Sequence, residues 1–116
     1  MGMHRPLYRV IKEHKASFPE ALIAEKGDRV KVGREDPEMP GWYWCKDADG
    51  MEAWIPETHI DIESDEAVFN QPYNSIEHTA EPGETVQYLG ESLGWTECLD
   101  KEWKYGWISS DKLELI

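Results

Sequence analysis

Gly41-Trp42-Tyr43-Trp44-Cys45, followed by Ala53-Trp54-Ile55-Pro56 and Ile60, returns later in the chain as Gly94-Trp95-Thr96-Glu97-Cys98, Gly106-Trp107-Ile108-Ser109 and Leu113. From each Gly-Trp onward the register is identical: three positions from Trp to Cys, nine from Cys to the next Trp, and six to the final aliphatic residue. Upstream, Gly27-Asp28-Arg29-Val30 matches Gly83-Glu84-Thr85-Val86, and the stretch before the Gly-Trp is three residues shorter in the second copy. Self-similarity of this kind marks a duplicated structural unit.

Each copy reads as β-structure. Short runs rich in Val, Ile, Tyr and Trp alternate with Gly, Pro, Asp and Glu at the spacing of a small barrel or sandwich. Asp49-Gly50 predicts a hairpin between a Trp42–Lys46 strand and a Glu52–Ile55 strand. Val30 and Val32 alternate with Lys31, and Val86 and Tyr88 with Gln87, as half-buried strands do. No sustained helical period is present, and Thr58-His59-Ile60 and Asp111-Lys112-Leu113 are each long enough for a single 3₁₀ turn. A boundary is expected at the charged stretch Glu63-Ser64-Asp65-Glu66. This gives one domain over 1–62 with an extension over 1–9, a linker over 63–66, and a second domain over 67–116.

Composition narrows the function. The chain has 116 residues, 24 acids against 12 bases and a formal charge of −12. That balance argues against nucleic acid and against an anionic membrane surface, both of which are bound through Lys and Arg. No apolar run approaches the ~20 residues of a bilayer span, and Met1 to Pro6 contain no apolar leader. A cytoplasmic, soluble protein is expected. Cys45 and Cys98 have no CxxC spacing and occupy equivalent places in separate copies, so they read as buried hydrophobes. His4, His14, His59 and His78 are scattered, and neither a metal nor any other cofactor is expected. No nucleophile with its base is gathered by the pattern, so no enzyme is expected.

Six Trp in so short a chain are more than disorder would carry. Strand parity places Trp95 with Glu97 on one face and Thr96 with Cys98 on the other. Since an unpaired glutamate seldom faces a core, Trp95 is expected outward and Cys98 inward. The same parity puts Trp42 and Trp44 outside, with Tyr43 and Cys45 inside. On the next strand Ile55 and Ile108 are core, while Trp54 with Pro56 and Trp107 with Ser109 take the outer face. Exposed aromatic patches mark contact sites. The competing reading is that long side chains or the other copy cover the indoles.

The order of a hydrophobic strand (Val10-Ile11-Lys12-Glu13-His14), an acidic loop (Leu22 to Asp28), Gly41-Trp42-Tyr43-Trp44-Cys45 and Ala53-Trp54-Ile55-Pro56-Glu57-Thr58-His59-Ile60 resembles the SH3 domain. It is most similar to the variant SH3 domains of short bacterial and archaeal proteins. The second copy, Ala67 to Leu113, extends the resemblance over nearly the whole chain beyond residue 9. The fold class implied is all-β, two tandem SH3-like five-stranded small barrels. The function implied is capture of proline-rich segments in an aromatic groove.

Carried over by position, Trp42 is the groove Trp, Pro56 the groove Pro, and Trp54 an aromatic beside the specificity pocket. His14 and His59 stand at the two tyrosine positions, and Lys12 replaces an edge aromatic. Imidazole stacks on proline but titrates near neutral pH, so binding by the first copy is expected to be weak and pH-dependent. In the second copy Trp95 and Trp107 are retained. Phe69 fits a groove aromatic, Tyr73 compensates for lost groove residues, and Glu77 falls at the loop acid that pairs with a ligand Arg or Lys. Ser109 and Lys112 replace the groove proline and closing tyrosine, so this copy is not expected to bind PxxP segments in the usual manner.

The expected partner is therefore a protein or peptide, proline-rich or basic. The alternative is an assembly role, with the Trp faces packed between domains or in a homodimer and no peptide ligand.

Overall fold

The computed structural model describes residues 5–18 and 20–116; the readings placed on residues 1–4, His4 among them, lie outside these. The alternation of apolar and polar residues resolves into strands β1 (Leu7–Val10), β2 (Ile23–Ala24), β3 (Arg29–Glu35), β4 (Trp42–Lys46), β5 (Glu52–Pro56) and β6 (Ile60–Glu63). The second half holds β7 (Glu66–Phe69), β8 (Tyr73–Asn74), β9 (Thr85–Ser92), β10 (Trp95–Leu99), β11 (Tyr105–Ser109) and β12 (Leu113–Leu115). Single 3₁₀ turns at Glu57–His59 and Ser110–Lys112 join β5 to β6 and β11 to β12. The chain is all-β, with two sheets of five strands consistent with SH3-like barrels. Among the described residues, no helix is long and apolar enough to cross a membrane.

The two five-stranded sheets do not follow the two sequence copies. One has the order β5-β4-β3-β7-β6 and the other β11-β10-β9-β1-β12. Strand β7, the first strand of the second copy, pairs with β3 and β6 of the first. Strand β1, the first strand of the first copy, pairs with β9 and β12 of the second. The copies have thus exchanged their leading strands within a single chain. Accordingly, Glu20–Ser75 forms a central unit, and the described residues of Met1–Pro19 join Ile76–Ile116 in a terminal unit.

This division differs from the linear expectation of 1–62, 63–66 and 67–116, and the reason is the stretch read as a linker. Glu63 is the last residue of β6 and Glu66 the first of β7. They pair directly across Ser64 and Asp65, with Ser64 at φ 61°. A two-residue connection places an antiparallel strand beside the strand before it. Once β7 is held against β6, it fills the place beside β3. The matching place in the terminal unit is taken by β1, between β9 and β12.

Each unit then closes its own core. In the terminal unit Val10 of β1 is fully buried with Ala80, Val86, Cys98, Ile108 and Leu113. In the central unit Phe69 of β7 is buried in the unit that also buries Leu22, Val30, Cys45, Ile55 and Ile60. The shortened arms around the exchange pair locally: β2 with β8 in the central unit, and His14 with Ala80 in the terminal one. Strand β3 bends at Gly33, where the register against β4 shifts. A Cβ there would lie 2.7 Å from the Trp44 carbonyl oxygen, so only glycine admits the approach.

The hairpins are built alike. Asp47 Oδ1 accepts the backbone N–H groups of Asp49 and Met51, and Asp100 Oδ1 those of Glu102 and Lys104. The Asp49-Gly50 turn is where the sequence puts it, with Gly50 at φ 86°.

Candidate functional site

The exchange re-sorts the candidate residues. His14 leaves the set of Trp42, Trp54, Pro56 and His59 and joins Glu77, Trp95 and Trp107 in the terminal unit. Phe69 and Tyr73 move the other way, into the central unit. Each candidate site is composite, built from both sequence copies.

In the central unit, Trp42 opens β4 opposite Pro56 at the end of β5. The preceding loop folds back on Trp42, whose N–H donates to the Met39 carbonyl and whose carbonyl accepts the Asp36 N–H. Trp42 is only 5% exposed, and Pro56 is fully buried. Behind them His59 packs edge-on against Tyr73 at 5.2 Å, and Tyr73 stacks near Phe69 at 5.9 Å. The Tyr73 hydroxyl donates to the Trp54 carbonyl at 2.8 Å, and the Asn70 N–H to the His59 carbonyl at 2.9 Å. His59, Phe69 and Tyr73 are consequently buried.

In the terminal unit, Trp107 is 2% exposed, and the segment Ile76–His78 pairs with its backbone. Its N–H donates to the Ile76 carbonyl, and its carbonyl accepts the His78 N–H. The expectation of an outward Trp42, Pro56 and Trp107 is therefore corrected. Parity assigns a side chain to a face of the sheet, but not whether that face is open to solvent. The inward half of the parity reading holds: Cys45, Cys98, Ile55 and Ile108 are all buried. Tyr43, expected inside, is only half-buried.

Trp95, Trp54 and Trp44 remain half-buried. Trp44 and Trp54 lie directly opposite on β4 and β5 with their rings 5.2 Å apart, and the Arg34 guanidinium sits over both, at 5.6 and 5.3 Å. The Trp44 indole N–H donates to Glu52 at 2.7 Å. The candidate set omits Trp44 and Arg34, although the Asp49-Gly50 hairpin fixes the register that pairs Trp44 with Trp54.

Trp95 lies against the other cluster. His14 meets it edge-on at 5.4 Å and is itself held by paired backbone hydrogen bonds with Ala80. The His14 Nδ1 lies 2.8 Å from the His78 carbonyl oxygen, and its Nε2 lies 3.6 Å from Glu77 Oε1. Glu77 Oε2 accepts the Ser17 N–H at 3.4 Å, whereas Oε1 is buried with no hydrogen-bond partner among the described residues. Burial pushes the Glu77 carboxyl up from its ordinary value, against the pull of the Ser17 N–H and the Lys112 charge. Burial likewise pushes the His14 imidazole down, although the His78 carbonyl works the other way. Among the described residues no group of three or more His, Cys, Asp or Glu is gathered for a metal ion.

Residues 7–63 match the variant SH3 domain. The match runs from β1 through β6, so it follows the linear copy, and the strand exchange divides it between the two units. No curated protein and no solved structure matches the chain. The SH3 match supports a protein-interaction module.

Proposed function

We propose that the chain is a non-catalytic protein-interaction module whose terminal unit takes an extended, basic, proline-containing peptide across Trp95 and Glu77. The observation that carries this reading is the unsatisfied Glu77 Oε1, 3.6 Å from the His14 ring, which in turn meets the half-buried Trp95 indole at 5.4 Å. A buried acceptor without a donor is costly, and a guanidinium or ammonium group supplies the donor it lacks. The indole face offers a surface for the apolar part of the same segment.

The strand exchange shifts the weight between the copies. Counted by unit, the central unit carries 14 acids and 5 bases, and the terminal unit 10 acids and 7 bases. Attraction for a basic peptide at Trp95 is thus local, through Glu77, and not a matter of overall acidity. The proposal favours the terminal unit over the first sequence copy because Trp42 and Pro56 are buried. The non-catalytic reading draws on the two thiols, which burial pushes up to about 11 at Cys45 and about 12 at Cys98, far from the range of a nucleophile.

The test is a titration of isotope-labelled protein with a peptide bearing prolines and one arginine, followed by chemical-shift perturbation. Shifts centred on Trp95, His14 and Glu77, abolished in Trp95→Ala, are expected. Saturating peptide without perturbation there overturns the reading. A second reading, assembly through the Trp faces, draws no support from Trp42 and Trp107, which are already buried within a single chain. It requires that molar mass by light scattering rise with concentration, and that no peptide perturb Trp95.

A further inference from the structure

The acid at this site does not stand alone. A carbonyl oxygen can only accept, so the His14 Nδ1 facing the His78 carbonyl at 2.8 Å carries a hydrogen. This leaves the other ring nitrogen, Nε2, either bare or protonated, and it points at Glu77 Oε1, 3.6 Å away. Oε1 has no other partner among the described residues, and both side chains are largely buried. With no proton between them, a nitrogen lone pair faces a carboxylate oxygen. With two, a buried imidazolium faces a neutral acid. Each arrangement leaves a charge uncompensated in a site of low polarity. One proton leaves the pair neutral, whether it resides on nitrogen or on oxygen. The other charges around the pair are Lys112 and Asp111 on the Ser110–Lys112 turn, opposite in sign, with His78 on the segment that receives the Nδ1 hydrogen.

We propose that His14 and Glu77 hold a single proton between them, and that a cationic side chain of a bound peptide displaces it into solvent. This rests on the peptide-binding reading of the Trp95 site. The charge balances: the ligand brings one positive charge, the pair releases one proton, and Glu77 is left as a carboxylate paired to the ligand beside a neutral His14. His14 is thereby a specificity-determining residue. It keeps the pair neutral until a cation arrives, so an uncharged segment gains nothing from Glu77. The consequence is proton-coupled recognition, with affinity rising about tenfold per pH unit wherever the free pair still holds its proton.

The experiment is calorimetry with the whole chain in two buffers of different ionisation enthalpy, using the arginine-bearing peptide and its citrulline counterpart. Release of close to one proton is expected with arginine and none with citrulline. Binding of the arginine peptide without proton release overturns the proposal while leaving peptide binding intact. If neither peptide binds, the binding reading fails. The pair is then tested by following the His14 imidazole in an NMR pH titration of the unliganded protein and of Glu77→Gln. A shared proton requires the His14 titration to move when Glu77 is replaced, and superimposable curves refute the pairing.

Discussion

Ile62 lies directly opposite Ala67, one pair beyond the Glu63–Glu66 pair that closes the turn at Ser64 and Asp65. That pairing holds the second copy's leading strand on the first copy's sheet and sends Leu7–Val10 to the other. Neither linear copy is therefore a folding unit. A fragment of residues 20–75 keeps every strand of its sheet and is expected to fold alone, with dispersed amide resonances. A fragment of residues 1–62 lacks β7, the strand between β3 and β6, and is expected to remain unfolded by circular dichroism. A cooperatively folded 1–62 fragment contradicts the exchange.

Trp103 occupies the place in its hairpin that Gly50 holds in the other. It adopts φ 65° with two thirds of its side chain in solvent (67%). The left-handed conformation costs a non-glycine residue about 1–2 kcal/mol, and glycine returns part of this in lost backbone entropy. Trp103→Gly is expected to stabilise the protein by about 0.5–1 kcal/mol. A lowered thermal midpoint shows instead that the indole contributes packing.

Protonation of Glu77 is linked to stability. Because its carboxyl is raised above the ordinary value of 4.5, its neutral form is the one the fold favours. That contribution is present at acid pH and is lost as pH rises through the raised value. Compared with Glu77→Gln, which cannot titrate, the wild type is expected to gain stability as pH falls from the neutral range towards 4.5. His14 runs oppositely: with its imidazole held below 6.5, stability is lost as pH falls from 6.5 through the depressed value. Thermal midpoints across this range for both proteins, and for His14→Gln, separate the two slopes. A difference between wild type and Glu77→Gln that is constant with pH removes the linkage.

Cys45 and Cys98 are buried and unpaired, with thiols pushed up by burial to about 11 and about 12. In mildly alkaline buffer neither is expected to react with a thiol reagent until denaturant is added, when both react together. Rapid labelling of either in the native protein contradicts the burial.

The repeated spacing, the strands over Trp42–Lys46 and Glu52–Pro56 and the inward Cys45, Cys98, Ile55 and Ile108 were legible in the sequence because each is a local or periodic property, whereas the strand read at Val10–His14 lies instead at Leu7–Val10. Spacing records repetition, and parity records which face a residue takes. Trp42 and Trp107 show where that reasoning stops. Their faces follow from alternation, but their burial is a tertiary outcome, and each is joined through its backbone to a segment outside its own strand pair. No period reports a segment that returns from elsewhere in the chain. Trp44 is the converse case: the Asp49-Gly50 turn fixes its place opposite Trp54, and weighing that register would have brought it into the candidate set.

The residues themselves determined that this chain makes two all-β units from one repeated pattern, since hydrophobic alternation and turn chemistry act over a few residues at a time. Which strand belongs to which unit was decided only in three dimensions, because strand pairing is a contest among distant partners. A connection of two residues settles that contest for β7. The meeting of His14 with Glu77 follows from that outcome: a histidine of one copy and an acid of the other share a site because the leading strands are exchanged.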